Sequence, residues 1–140
     1  MIILDTNVLS TLMKAVPDPQ VVRWLDGLPA ESIWTTSVCV FEIRYGLRSM
    51  PKGKRQRALT TAFEEMVTEA LESRVLDFDQ VAADHSAGLA ARLRAAGRPV
   101  EFRDVLIAGI VAARRATLAT GNVRHFELAA INLVNPWDAR

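Results

Sequence analysis

Apolar residues in this chain follow two rhythms. Short unbroken runs, rich in β-branched residues, alternate with longer stretches whose apolar positions recur every three or four residues. The first kind reads as strands buried on both faces, the second as amphipathic helices. Met1-Ile2-Ile3-Leu4 is the first run, and Ile33-Trp34-Thr35-Thr36 the second. Val75-Leu76 with Phe78, Ala116 to Thr120, and Ile131 to Val134 predict three further strands.

The stripes fall between them. Val8, Leu9 and Leu12 predict a short helix that stops before Pro17, and Asp18-Pro19 opens another, the acid as cap and the proline in the first turn. Val21, Val22, Leu25 and Leu28 form its stripe, ended by Gly27 to Pro29. Ser37 is expected to cap a helix through Met50, with Val40, Ile43, Leu47 and Met50 on one side and Val38, Phe41 and Tyr45 as a second apolar flank. After a break at Pro51 to Gly53, Leu59, Ala62, Phe63, Met66, Val67, Ala70 and Leu71 repeat almost as a coiled-coil seam. Core packing and a subunit or partner surface both account for that seam. Asp79 caps the next helix, with Ala82, Ser86, Leu89, Ala90 and Leu93 inward and Gly97 and Pro99 at its end. Phe102 to Ala113 is apolar nearly all round, the mark of a central helix packed on several sides.

Strands alternating with helices predict an α/β fold: a central parallel sheet of four to five short strands, helices on both faces, and a single domain over residues 1–140. The C-terminal ends of the strands then share one edge, where open α/β sheets bind their ligands. No internal repeat or low-complexity segment interrupts the pattern.

Composition narrows the class. Half of the 140 residues are hydrophobic and 24% charged, which suits a globular chain with a real core. No run approaches the roughly 18 apolar residues of a membrane span, and the N-terminus lacks a signal-peptide pattern. Cys39 is the only cysteine, so no internal disulfide forms, and the cytoplasm is the expected location. A net charge of +1 does not announce a nucleic-acid binder. Lys52, Lys54, Arg55 and Arg57, and further on Arg92, Arg94, Arg98 and Arg103, are consistent with solvated faces and equally with a phosphate-rich partner.

Three acids stand among apolar neighbours. Asp5 follows Leu4, Glu42 lies between Phe41 and Ile43, and Asp104 opens the most apolar helix. Carboxylates are rarely buried without a partner. Asp5 has a second reading as a helix cap, and Arg44 and Arg103 make structural ion pairs a competing account of the other two. Taken jointly, the three acids are expected on one edge, joined by Asn122 and Thr6. Crowded carboxylates repel unless a cation or protons intervene. Oxygen ligands without a cysteine or histidine pair favour Mg²⁺ or Mn²⁺ over zinc. Such a centre suits phosphodiester hydrolysis, with the metal polarising the phosphoryl oxygen and activating water while a carboxylate orients that water. The chain offers no usable Ser/His/Asp or His/His pair. His85 is expected to be an ordinary polar position on an interior-looking helix, and His125, near Asn122, to be structural, though close enough to graze the site.

Leu4-Asp5-Thr6-Asn7, Glu42 after the second strand, Arg98-Pro99 leading to Asp104-Val105-Leu106-Ile107-Ala108, and Thr120-Gly121-Asn122-Val123-Arg124-His125-Phe126 together resemble the PIN domain. The likeness is nearest to the toxin ribonucleases of bacterial VapBC-type toxin–antitoxin modules, and it covers essentially the whole chain. It implies a parallel sheet between helices, homodimers, and Mg²⁺- or Mn²⁺-dependent RNA cleavage. It also implies a small antitoxin that occupies the active-site groove and contacts DNA itself, and no membrane partner. By motif match Asp5, Glu42 and Asp104 carry over as metal-binding catalytic acids, with Thr6 and Thr120 supporting them. A fourth position, acidic in many members, is Asn122 here, which leaves the number of metals at one or two. A PIN-fold module that binds RNA or protein without cutting stands as the alternative.

Overall fold

The computed structural model describes residues 1–138. Five parallel strands form one sheet: β1 (Ile2–Leu4), β2 (Ile33–Thr36), β3 (Val75–Leu76), β4 (Thr117–Ala119) and β5 (Asn132–Val134). Six α-helices connect them: α1 (Thr6–Leu12), α2 (Pro19–Asp26), α3 (Ser37–Ser49), α4 (Lys54–Glu65), α5 (Gln80–Ala95) and α6 (Phe102–Arg114). A 3₁₀ segment, Val123–Ala129, leads into β5.

The strand order is β3-β2-β1-β4-β5. From β1 the chain steps outward twice, then crosses back to place β4 on the other side of β1. Right-handed crossovers put connections that run in opposite directions on opposite faces. Helices α1 to α4 therefore cover one face, and α5 and α6 the other. The order reverses between β1 and β4, which makes a crevice at their C-terminal ends. Burial follows from this arrangement. Ile3, Leu4, Leu118 and Ala119 at the centre are almost wholly inaccessible, as are Val8, Leu9, Phe63, Ile107, Ile110 and Val111 from the helices on both sides.

Local chemistry explains most boundaries. Asp18 accepts from the Gln20 N–H at 2.9 Å with Pro19 beside it, and Asp79 accepts from the Ala82 N–H at 2.9 Å, both as expected of caps. Gly97 adopts φ +69° just past α5, a left-handed position that favours glycine. The cap of α3 is Thr36 rather than Ser37. Thr36 ends β2 in extended conformation, and its Oγ1 accepts from the Cys39 N–H at 3.1 Å. That helix stops at Ser49, because the residue before Pro51 is pushed out of the helical region.

The long stripe also departs from a continuous α-helix. It passes at Met66–Ala70 into a π turn. Phe63 and Leu71 reach the core, whereas Ala70 is exposed. In the second flank of α3, Val38 is buried while Phe41 and Tyr45 are 61% and 67% exposed and stack with ring centroids 6.1 Å apart. The third strand excludes Phe78, and the fourth keeps only its middle three residues. Arg74 donates to the Ile33 and Ala30 carbonyls at 2.8 and 2.6 Å, tying the short edge strand to its neighbour. Among the described residues no helix is long and apolar enough to cross a membrane.

Helices α5 and α6 pack so closely that a side chain is excluded between them. A methyl group on Gly109 would lie 1.9 Å from Ser86 Oγ and 2.6 Å from the Ala82 carbonyl. Ser86 is itself held, donating to the Val105 carbonyl at 2.9 Å. Gly109→Ala should therefore lower the unfolding free energy by about 1 to 3 kcal/mol, despite alanine's better helix propensity. Chemical denaturation checks this, and an unchanged midpoint would mean that the two helices separate freely.

Candidate metal centre

Asp5 sits where β1 ends, with the backbone N–H bonded to the Ala119 carbonyl of β4 at 3.0 Å. Only 5% of the residue is exposed. The carboxylate is held by neutral donors. Oδ1 accepts from the Thr6 N–H at 2.8 Å, and Oδ2 from Thr120 Oγ1 at 2.7 Å and Asn7 Nδ2 at 3.2 Å. Asp5 is thus both the cap of α1 and the floor of a cleft. No described cation forms an ion pair with it.

Asn7 completes the frame. Its Nδ2 also donates to Thr120 Oγ1 at 3.1 Å, and its Oδ1 accepts from the Gly121 N–H at 3.0 Å. Gly121 leaves little room for a side chain, since a Cβ there would lie 3.0 Å from the Trp137 ring, which would have to shift slightly. Asn7 carries no role in the motif match, yet it binds both Asp5 and Thr120. Its place in the first turn of α1, two residues beyond Asp5, was the available signal.

Glu42 projects from α3 and Asp104 from the first turn of α6 into the same cleft, whose volume is about 1060 Å³. Thr6 and Asn122 line it too. Each outer acid has a cationic or titratable partner. Arg103 Nη1 lies 3.1 Å from Glu42 Oε2, and His125 Nδ1 lies 3.2 Å from Asp104 Oδ2. Arg103 therefore pairs with the acid on the neighbouring helix rather than with Asp104 beside it. Arg44 turns away to Glu64 and the Phe63 ring.

The expected roles of the two histidines divide. His85 is solvent-exposed on α5, while His125 lines the cleft against Asp104, as its nearness to Asn122 allowed.

The electrostatics show that the acids sense one another. Burial raises the Glu42 pKa above its ordinary value; Arg103 opposes the shift, and the Asp5 charge adds to it. Burial raises Asp104 as well, opposed by His125 and reinforced by Asp5. Beneath the site the Cys39 thiol, 3.9 Å from Asp5 Oδ1, is pushed up to about 11, mainly by burial and then by the same charge. At that pKa the thiol stays protonated and unreactive.

The donor set is one of hard oxygens: three carboxylates, the Thr6 hydroxyl and the Asn122 amide. Thr6 Oγ1 is the one described buried side-chain polar atom without a hydrogen-bond partner. An unmet oxygen beside uncompensated carboxylates fits a hard divalent cation. As the side chains stand, no three described acidic, histidine or cysteine groups gather around one point, because Glu42 is turned to Arg103 and Asp104 to His125. Coordination by all three acids would need Glu42 and Asp104 to turn toward Asp5, and Arg103 and His125 hold one oxygen of each, Oε2 and Oδ2.

Known proteins resemble this chain along nearly its whole length. The PIN domain profile matches residues 2–131. The plasmid stability protein StbB of Pseudomonas syringae pv. tomato is 40% identical over 99% of this chain and 100% of its own. VapC ribonuclease Y4jK of Sinorhizobium fredii is 38% identical over 99% of each. The structure of FitAB bound to a DNA fragment contains a chain that superposes with a TM-score of 0.89 at 30% identity, covering 100% of this chain and 98% of that one. With its Asp5-centred cleft at the reversal of strand order, the chain belongs to the PIN-domain family.

Proposed function

We propose that this protein is a Mg²⁺- or Mn²⁺-dependent endoribonuclease, the toxin of a toxin–antitoxin pair. The observation that carries this reading is the cleft itself. Its floor is acidic, and Lys14, Arg98, Arg103 and Arg124 stand exposed around it. An acidic floor binds a metal, and a cationic rim holds a polyanion. The reading is further supported by the ribonuclease activity in the name of the Sinorhizobium relative and by the plasmid stability role in that of the Pseudomonas one.

Asp5, Glu42 and Asp104 would hold the ion, with Thr6 Oγ1 and the Asn122 amide oxygen completing its shell. The ion supplies a Lewis acid that polarises the phosphoryl oxygen and acidifies water. The chain's own residues do the rest. Thr120, Asn7 and the Thr6 N–H keep Asp5 from rotating. A cleft carboxylate would orient the attacking water or take its proton. The rim cations align the phosphates. Asn122 brings no charge to the fourth position, which favours one tightly held ion over two.

An antitoxin is the proposed partner, and contact with DNA is assigned to it, in keeping with the DNA-bound FitAB complex. A second copy of the chain is proposed as a further partner. Phe41 and Tyr45 on α3 and Phe102 on α6, 71% exposed, present more aromatic surface than a lone chain leaves in water. Light scattering at micromolar concentration should give twice the chain mass, and a stable monomer would overturn the dimer.

Purified protein free of antitoxin should cut RNA with Mg²⁺ or Mn²⁺ and stop in excess chelator. Equal cleavage under chelation would refute the metal-dependent reading. Absence of cleavage under every metal condition would favour a PIN-fold module that binds without cutting.

Asp104→Asn separates a site built for function from one built for stability. A carboxyl whose pKa is raised on folding binds its proton more tightly in the folded state. Metal-free stability therefore falls as pH climbs from the ordinary carboxylate value through the raised one. The amide removes that penalty and can still accept from His125. Above this window the metal-free variant should melt about 2 to 4 °C higher, for a gain of about 1 kcal/mol. Added Mg²⁺ should stabilise the parent more than the variant. A lower melting temperature for the variant would instead make Asp104 a structural partner of His125.

A further inference from the structure

Arg103 and a divalent cation need the same carboxylate. Arg103 lies in the first turn of α6 and reaches across to α3, where Nη1 meets Glu42 Oε2 at 3.1 Å. The two ends of this pair differ. The Glu42 side chain is 15% exposed and fixed in the cleft wall, whereas that of Arg103 is 65% exposed. One N–H of the guanidinium is used, and its remaining donors make no other hydrogen bond among the described residues. An exposed cation on a long flexible stem leaves such a pair at small cost. Glu42, facing Asp5 and Asp104, does not readily stand without a cation.

We propose that Arg103 is a positioning residue with two stations, neutralising Glu42 in the metal-free chain and turning its guanidinium to the phosphate backbone of RNA once a divalent cation takes that carboxylate. The proposal rests on the metal-dependent reading above. It makes metal loading and the release of an RNA-binding arginine one exchange. Without metal, Arg103 competes for the site and is withheld from the substrate. With metal, it joins the rim formed by Lys14, Arg98 and Arg124, and its planar fork suits phosphate oxygens.

The exchange is tested by titrating Mn²⁺ calorimetrically into the wild-type chain, Arg103→Gln, Glu42→Gln and the double variant. Arg124→Gln serves as a control that removes a rim charge without touching Glu42. Arg103→Gln should bind Mn²⁺ about two- to fivefold more tightly, the competition an exposed ion pair can offer. Arg124→Gln should stay nearer to wild type, and the gain should vanish when Glu42 is already Gln. Equal affinity in wild type and Arg103→Gln overturns the exchange, as does the same gain in Arg124→Gln. No Mn²⁺ binding by the wild-type chain overturns the metal-dependent reading itself.

The second station is read by fluorescence anisotropy with a short single-stranded RNA, with and without Ca²⁺. Arg103→Gln should bind as wild type does without the ion and several-fold more weakly with it. An equal loss in both conditions would make Arg103 an ordinary rim charge and overturn the coupling.

Discussion

A buried carboxylate held only by neutral donors governs this molecule. Asp5 is almost fully withdrawn from water, and its donors are a backbone N–H, a hydroxyl and an amide. These bonds make burial of the charged group tolerable, yet none of them cancels the charge. The field of that charge reaches outward. It adds to the burial that raises Glu42, Asp104 and Cys39, and it leaves the cleft in need of positive charge. Arg103 and His125 supply part of it from the protein's own side chains.

The fold holds this unfavourable group because its donors belong to elements that the core already fixes. Thr120 extends β4, the direct neighbour of β1, and Thr6 and Asn7 open the helix that leaves β1. Packing of Ile3, Leu4, Leu118 and Ala119 brings these chain ends together irrespective of the site. Hydrophobic burial thus offsets the electrostatic strain. Gly121 and Trp137 extend the same frame to the last described turn, because the indole packs 3.0 Å from where a Cβ at 121 would be.

Charges in the cleft are sorted by depth. Asp5, Glu42 and Asp104 are wholly or partly buried, while Lys14, Arg98 and Arg124, together with the acid Glu101, stand exposed around them, and the three cations make no ion pairs among the described residues. A net charge of +1 conceals this separation. Sign and depth together, rather than total charge, distinguish a site that takes a metal and a polyanion from an ordinary mixed surface.

Much of this was legible in the chain itself. The unbroken run Ile2-Ile3-Leu4 and the stripe of α5 each report burial directly, because a side chain's apolar character and its spacing follow from the face it must hide. The alternation of such runs therefore predicted the parallel sheet. Asp5, Glu42 and Asp104 were found as candidates because acids in apolar surroundings need a reason, and Thr6 and Asn122 because they follow strand ends on the same edge. Helix ends were less legible. Thr36 and Ser37 are both good caps, and only the backbone leaving β2 decides which hydroxyl meets the Cys39 N–H. Partner choice was not legible at all. Arg103 is adjacent to Asp104 in sequence but pairs with Glu42 61 residues away, and His125 closes on Asp104 from a different segment. Local pattern encodes which face of an element is buried, since that depends on the residue and its near neighbours. Which charges meet depends on the crossing of α3, α6 and the 3₁₀ segment over the sheet edge, a geometry that exists only once the whole chain has packed.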